Sequence, residues 1–449
     1  MAPHRTLLWA TAVLASVATL AGVLAWLVYG FMPIRAATSG VFLAWVQTPA
    51  ESTRSTRKAA PESSWAMFGG SAARTRFMPS KLRPPFRVRY SIPGGGGLIE
   101  MPPVVSRRRV VFGTHDGLVI ASRLTDGKHL WTTALNRCIA SSPAVRQGVV
   151  YIGWSGVGPC RRGKDESGGI VALRLSTGEV LWHLRTGNVE ASPAIAGDRL
   201  YFSAFRNRHD SRVYAVQLEP ARKVVWSYPI ASKIASSPAL IERTLFVSAY
   251  DRNLYAFDAK SGRLRWLTSA FSDASEVRFL LGVKSLVKRR AWSESGYYAT
   301  PAVAYRNVYL GTIDGVFSAF DATTGGHRWS RRLGGSIYGS AAVWHETVYV
   351  GTTSGVFQAL VARDGTTLWR HRLEGKILGS PTVTNGRVFI ATTARETFVF
   401  DALTGELEWR FPDGEYSPLV VAGNRALLVG KGRVYGLRNA PDPTHLPAR

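Results

Sequence analysis

One eleven-residue phrase constrains the fold of this chain more than any other feature, because the sequence writes it seven times. AFDATTGGHRW (Ala319 to Trp329) shows the pattern: a small residue, often Asp two places on, a Thr-Gly-like turn, and Trp at the end. ASRLTDGKHLW (Ala121 to Trp131), ALRLSTGEVLW (Ala172 to Trp182), AFDAKSGRLRW (Ala256 to Trp266), ALVARDGTTLW (Ala359 to Trp369) and VFDALTGELEW (Val399 to Trp409) repeat it. AVQLEPARKVVW (Ala215 to Trp226) is the same phrase with one residue added. Within each copy an alternating apolar segment reads as a strand, the polar four as a hairpin turn, and the run into the Trp as the next strand.

A second hairpin, such as TPAVAYRNVYLGT, stands about ten residues upstream of each phrase. Each unit therefore holds four short antiparallel strands, A to D. The spacing is 40 residues from Trp226 to Trp266, from Trp329 to Trp369 and from Trp369 to Trp409. Four strands at such a period predict blades of a β-propeller.

The AxDxxTGxxxW phrase, preceded by a Ser-Pro-Ala-Val-like strand, resembles the repeat of the PQQ-type β-propellers. That superfamily includes the quinoprotein dehydrogenases and the outer-membrane assembly lipoprotein BamB. The resemblance covers about residues 65 to 439 and speaks for fold, not function. It implies that each repeat Trp docks on the small residue of the next blade. Trp131, Trp182, Trp226, Trp266, Trp329, Trp369 and Trp409 are thus expected to be structural.

The chain ends complete the count. Tyr90 stands 41 residues before Trp131, where a repeat Trp is expected, so Phe86 to Ser91 reads as a D strand with no A, B or C before it. Ser417 to Arg438 supplies A, B and C without D. Pairing the two fragments gives an eighth blade and removes open sheet edges. The expected fold is an all-β, eight-bladed propeller closed by its own termini. A–B and C–D turns then share the bottom face, while B–C and D–A loops share the top. The repeat is interrupted at Ser155 to Gly169, Phe205 to Arg212 and Phe271 to Tyr297, all on the top, where loops on a rigid scaffold carry binding. The last holds a short basic amphipathic stretch, RFLLGVKSLVKRRAW, read as packing over the channel mouth or docking a partner.

Ahead of the propeller, Leu7 to Met32 is an uncharged apolar run that as a helix would reach ~39 Å, enough to span a bilayer. Its length, and the lack of a clean small-x-small site behind it, favour a retained anchor over a cleaved signal peptide. Residues 1–6 form a short tail, 33–64 a flexible stalk and 440–449 a disordered tail. Basic residues flank the run on both sides, so charge does not orient it. Cys138 and Cys160 both fall at the top of blade 2; bridged, they imply an oxidising compartment, and the alternative is two thiols in a reducing one.

The net charge of +26 invites a polyanion. Arginines recur in the A–B turns (Arg107, Arg108, Arg109, Arg146, Arg199, Arg243, Arg306, Arg387 and Arg425), predicting a ring around the lower channel mouth. Such a ring faces anionic lipid or an acidic envelope polymer, or is an ordinary set of solvated turns. P-loop, dinucleotide, GxSxG and HExxH signatures are missing, and the histidines lack metal-ligand spacing. The adjacent Cys-Cys, calcium ligands and Asp base of the quinoprotein dehydrogenases have no counterpart that can be placed, since the two cysteines lie 22 apart.

The reading is a monomeric, membrane-anchored extracytoplasmic propeller. It binds or scaffolds an envelope protein or an anionic polymer or lipid, and carries no cofactor. The alternative is a PQQ-dependent dehydrogenase of alcohols or sugars using calcium. Nucleic acid is permitted by charge but disfavoured by the anchor.

Overall fold

A computed structural model of the chain describes residues 65–156, 168–220, 222–269, 296–416 and 418–440. They form eight four-stranded antiparallel sheets. Seven blades are continuous, from Val104–Ala134 (blade 1) to Thr382–Phe411 (blade 7), and each follows the order A-B-C-D. Blade 8 takes A, B and C from Leu419–Ala422, Arg425–Val429 and Arg433–Asn439, and D from Phe86–Pro93 at the other end of the chain. Phe86 faces Asn439 and Pro93 faces Arg433, so the seam is an antiparallel ladder like those inside the other blades. The candidate anchor at Leu7 to Met32 lies outside the described residues, among which no helix is long and apolar enough to cross a membrane.

The repeated phrase is explained by its contacts. Its Asp caps its own C–D turn: Asp321 accepts from the backbone N–H groups of Thr323 and Thr324, each at 2.8 Å, and Asp401 from those of Leu403 and Thr404, each at 2.9 Å. The turn glycine takes a left-handed backbone (φ 75° at Gly325, 74° at Gly365), and its missing side chain makes room for the preceding blade's Trp. A Cβ on Gly365 would lie 2.6 Å from the Trp329 ring, and one on Gly405 2.7 Å from Trp369. Four of the indoles, those of Trp131, Trp226, Trp329 and Trp369, also donate into the next blade, Trp131 to the Leu175 carbonyl at 3.0 Å and Trp369 to the Ala402 carbonyl at 3.1 Å.

At the inner edge, the Ser or Thr two residues before strand A joins blades 2 to 5 in turn, and blade 6 to blade 7. Ser192 Oγ accepts from the Ser142 N–H and Ser237 Oγ from the Ser192 N–H, both at 2.9 Å; Thr300 Oγ1 accepts from the Ser237 N–H at 3.0 Å. These Ser-Pro and Thr-Pro starts are thus a belt that satisfies buried amides where the A strands converge.

The second interruption, Phe205 to Arg212, is a continuation of strands B and C of blade 3 (Arg199–Asn207 and Asp210–Gln217), paired out to Asn207 and Asp210. The other two interruptions lie largely outside the described residues.

Candidate functional site

The lead-in segment closes the central channel from within. The Trp65, Ala66, Ala72, Ala73, Thr75 and Arg76 carbonyls accept from the middle amide of the A strand in blades 1, 2, 4, 5, 6 and 7 (Val105, Val145, Leu240, Val303, Val343 and Val383), at 2.8–2.9 Å. Inside this loop lie two fully buried arginines. Arg74 donates to the Pro238, Ser192 and Pro193 carbonyls at 3.0, 3.2 and 3.1 Å, and also to the Phe68 carbonyl. Arg76 donates to the Pro381 carbonyl at 2.6 Å and to Thr382 Oγ1 at 3.1 Å. Both guanidinium groups stack near the Phe68 ring, at 5.5 and 5.1 Å. Burial, reinforced at Arg74 by the neighbouring Arg76 charge, lowers both pKa values to about 9, which leaves them charged at neutral pH. Backbone carbonyls solvate them where carboxylates ordinarily would.

Above this plug, a cavity of about 260 Å³ opens at the top of the channel. Phe68 contributes to its floor, and its wall is built from one recurring position, two residues before the belt Ser or Thr. That position holds Ala140, Glu190, Ala235, Tyr298, Tyr338 and Leu378. Register against the Ser-Pro motif was the signal that could have found this wall; neither the tyrosines nor the plug arginines were singled out from sequence. Tyr298 packs against Tyr338 at 5.2 Å and edge-on to Tyr250 at 6.3 Å. Desolvation raises the Tyr298 pKa well above the ordinary phenol value, so the mouth presents neutral hydroxyls and ring faces.

Two carboxylates reach the wall, and each already faces a nitrogen base or cation. Glu100 meets His115 Nε2 at 2.7 Å. Glu190 meets Lys233 Nζ at 3.0 Å, and Lys233 in turn sits over the Phe205 ring at 4.5 Å. Burial raises the Glu190 pKa against the opposing pull of Lys233. A calcium ion takes six to eight oxygens. Among the described residues no group of three or more His, Cys, Asp or Glu could hold a metal ion, and the ring faces at the mouth are Tyr. These tyrosine hydroxyls and ring faces suit holding a polar or aromatic group by hydrogen bonds and stacking.

The bottom arginines do not form a uniform ring. Arg243 is drawn to Asp258 at 2.7 Å and Arg387 to Glu408 at 2.9 Å. Arg199 donates to the Lys260 carbonyl at 2.6 Å, tying blade 3 to blade 4, and Arg146 reaches Gln147 Oε1 at 3.0 Å. Arg306 is exposed in its turn. Arg107, Arg108 and Arg425 instead share one groove with Arg438, while Arg109 points back to the Arg107 carbonyl. Cys138 is buried at the top of blade 2, where its backbone pairs with Ser155; Cys160 lies outside the described residues. Trp182 packs on Tyr151 at 5.8 Å, and Trp409 meets Phe86 edge-on at 5.2 Å, because blade 8 has no C–D turn to receive it.

A family model described as outer membrane protein assembly factor BamB matches residues 65–160, 87–268, 209–340 and 313–440. BamB of Yersinia pestis is 26% identical over 178 residues, which are 36% of this chain. The match spans 41% of that relative, so the chain covers less than half of its length. The crystal structure of BamB from Moraxella catarrhalis superposes with a TM-score of 0.59 at 17% identity, covering 80% of this chain and 99% of that one. Quinohemoprotein alcohol dehydrogenase from Comamonas testosteroni gives 0.65 at 13% identity, covering 86% and 82%. At such identities the two structures speak for the fold alone.

Proposed function

This chain belongs to the family of outer membrane protein assembly factor BamB, and from that premise we propose that it is a membrane-anchored, extracytoplasmic propeller serving as a non-catalytic binding or scaffold module of the cell envelope. The observation that carries this reading is the channel mouth. It is a cup above a plugged channel, with Tyr298 and Tyr338 in its wall and its two carboxylates facing His115 and Lys233. Beside it the extended blade 3 hairpin carries exposed Arg206, Asn207, Arg208 and His209. A rigid face of this kind suits docking of an envelope protein.

The apolar run at Leu7 to Met32 supplies the anchor in this proposal, and a Cys138–Cys160 bridge the sign of an oxidising compartment. Thiol labelling of the unfolded, unreduced chain tests the latter: no labelled cysteine is expected, and two would place the propeller in a reducing compartment.

A photo-crosslinker placed in turn at Arg208, Tyr338 and Arg306 of the full chain in intact cells tests the docking face. Adducts with an envelope protein are expected from the first two, on the top; adducts confined to Arg306 would overturn the assignment. Calorimetric titration of the detergent-solubilised chain with PQQ, with and without calcium, tests the dehydrogenase alternative. No saturable heat is expected, and micromolar binding would revive it.

A further inference from the structure

On the opposite face, at the seam where the chain ends close the ring, lies a cavity of about 480 Å³ between blades 8 and 1. Arg107 and Arg108 border it from the A–B turn of blade 1, Arg425 from the A–B turn of blade 8, and Arg438 from the end of strand C. Ser106 and Asn424 add polar groups, and no acidic residue lines it. Asp126, in the C–D turn of blade 1, is held two-pronged by Arg123 at 2.9 and 2.5 Å. Arg107 extends toward Gly148 of blade 2, so positive charge continues outward from the groove.

The backbone makes the composition more pointed. Arg107 and Arg108 both take left-handed conformations, φ 47° and 59°. A two-residue hairpin turn of this kind prefers Asn-Gly, because β-carbons crowd the carbonyls there. Blade 7 uses that pair, Asn385-Gly386, at the equivalent turn. Blades 5 and 6 carry Tyr305-Arg306 and His345-Glu346 in the same left-handed turn, so what sets the blade 1 turn apart is that both its residues are cationic and line a groove with two more arginines.

We propose that this groove binds a phosphate-bearing anion, gripped from blade 1 by Arg107 and Arg108 and from blade 8 by Arg425 and Arg438. A carboxylate offers two oxygens in one plane. A phosphate offers three or more around a tetrahedron, which suits arginines that border one groove from two blades, with Arg107 at its outer rim. The bound anion bridges the seam and therefore stabilises the closed ring. This site is independent of the partner proposed for the top face.

The test is calorimetry and thermal unfolding of the full chain in non-ionic detergent, with inorganic pyrophosphate in one arm and micelles doped with phosphatidylglycerol in the other. Saturable binding that weakens with added salt is expected in at least one arm, with a raised Tm. Saturation in the micelle arm alone assigns a lipid headgroup, and in the pyrophosphate arm alone a soluble phosphate. The double variant R107N/R108G installs the favoured turn. It is expected to keep or raise the Tm without ligand while losing affinity at least tenfold, and R438Q to lose affinity severalfold. R306S, in the corresponding turn of blade 5, is expected to bind as wild type. Wild-type affinity in R107N/R108G, or no saturable binding in either arm, overturns the proposal.

Discussion

The Tyr90 hydroxyl donates to the Leu124 carbonyl at 2.5 Å, making from the seam strand of blade 8 to blade 1 the kind of cross-blade bond that Trp131 makes to the Leu175 carbonyl at 3.0 Å. Tyr90 also occupies the space above a left-handed turn glycine, since a Cβ on Gly127 would lie 2.4 Å from its ring. A phenol thus replaces the indole in the one blade whose D strand comes from the opposite end of the chain to its A, B and C strands.

Tyr90→Phe keeps the ring and loses the bond, which is expected to cost about 1 kcal/mol. Tyr90→Ala also opens a cavity at the seam and is expected to cost about 3 kcal/mol. Burial, the largest cause, pushes the Tyr90 pKa up to about 12 from 10.0. The native state therefore keeps a proton that the unfolded chain releases. The Tyr90 contribution is complete below pH 10 and declines as pH rises toward 12. Urea midpoints across this range should fall less steeply for Tyr90→Phe than for wild type; equal slopes would show that the seam does not sense this group.

The indoles are not equivalent. Trp329 Nε1 donates to the Ala362 carbonyl at 3.0 Å, and Tyr309 Oη donates to the same carbonyl at 3.2 Å. Trp266 is more deeply buried, but its Nε1 has no partner, and Phe246 stands where Tyr309 stands in the next blade. Trp→Phe removes similar volume at both sites but a hydrogen bond only at Trp329. Trp329→Phe should therefore be the costlier change by about 1 kcal/mol, read as a difference in chemical-denaturation midpoints. The reverse order would mean that packing alone sets the value of these residues.

Eight blades and their closure were legible because a propeller repeats its sequence with its structure. Tyr90 was recognisable by its distance from Trp131, and the unpaired strands at the two ends were complementary. Arg74 and Arg76 were not legible, because they stand outside the repeat and their partners are backbone carbonyls of distant blades, which leave no trace in residue type. The arginine ring was half legible. Its turns were placed by the repeat, but which guanidinium groups bind Asp258, Glu408 or a turn carbonyl depends on side-chain reach. The mouth wall was concealed by its variety, since one structural position holds Ala, Glu, Tyr and Leu.

Asp258 makes acid sensitivity predictable. Burial alone would raise its pKa, but hydrogen bonds from Arg265, from the Ser261 backbone and hydroxyl, and from Arg243 outweigh this and hold it well below the usual carboxylate range. A lowered native pKa means that its stabilisation is present above about pH 4 and is lost as pH falls below it. Asp258→Asn is expected to cost about 2 kcal/mol at neutral pH and to show a shallower acid limb in thermal melts between about pH 4 and pH 2. An unchanged acid limb would assign that sensitivity to other carboxylates.

The buried arginines carry the most demanding prediction. Arg74 satisfies carbonyls of Phe68 in the lead-in, of Ser192 and Pro193 in blade 3, and of Pro238 in blade 4. Arg74→Met would leave those buried acceptors without this donor, at an expected cost of at least about 3 kcal/mol. Arg74→Lys keeps the charge but not the planar fork that reaches several blades, so it should recover only part of that loss. Arg76 makes fewer bonds and leaves Nη1 without a partner. Its removal also relieves the repulsion that lowers the Arg74 pKa. By its fewer bonds Arg76→Met should cost less than Arg74→Met, and because either single change already relieves the one repulsion, the loss in the double variant should exceed the sum of the two. Urea unfolding of the four variants measures all of this in one series. Additive losses, or an Arg74→Met midpoint within error of wild type, would show that the lead-in is held by its backbone bonds and that the guanidinium groups are incidental.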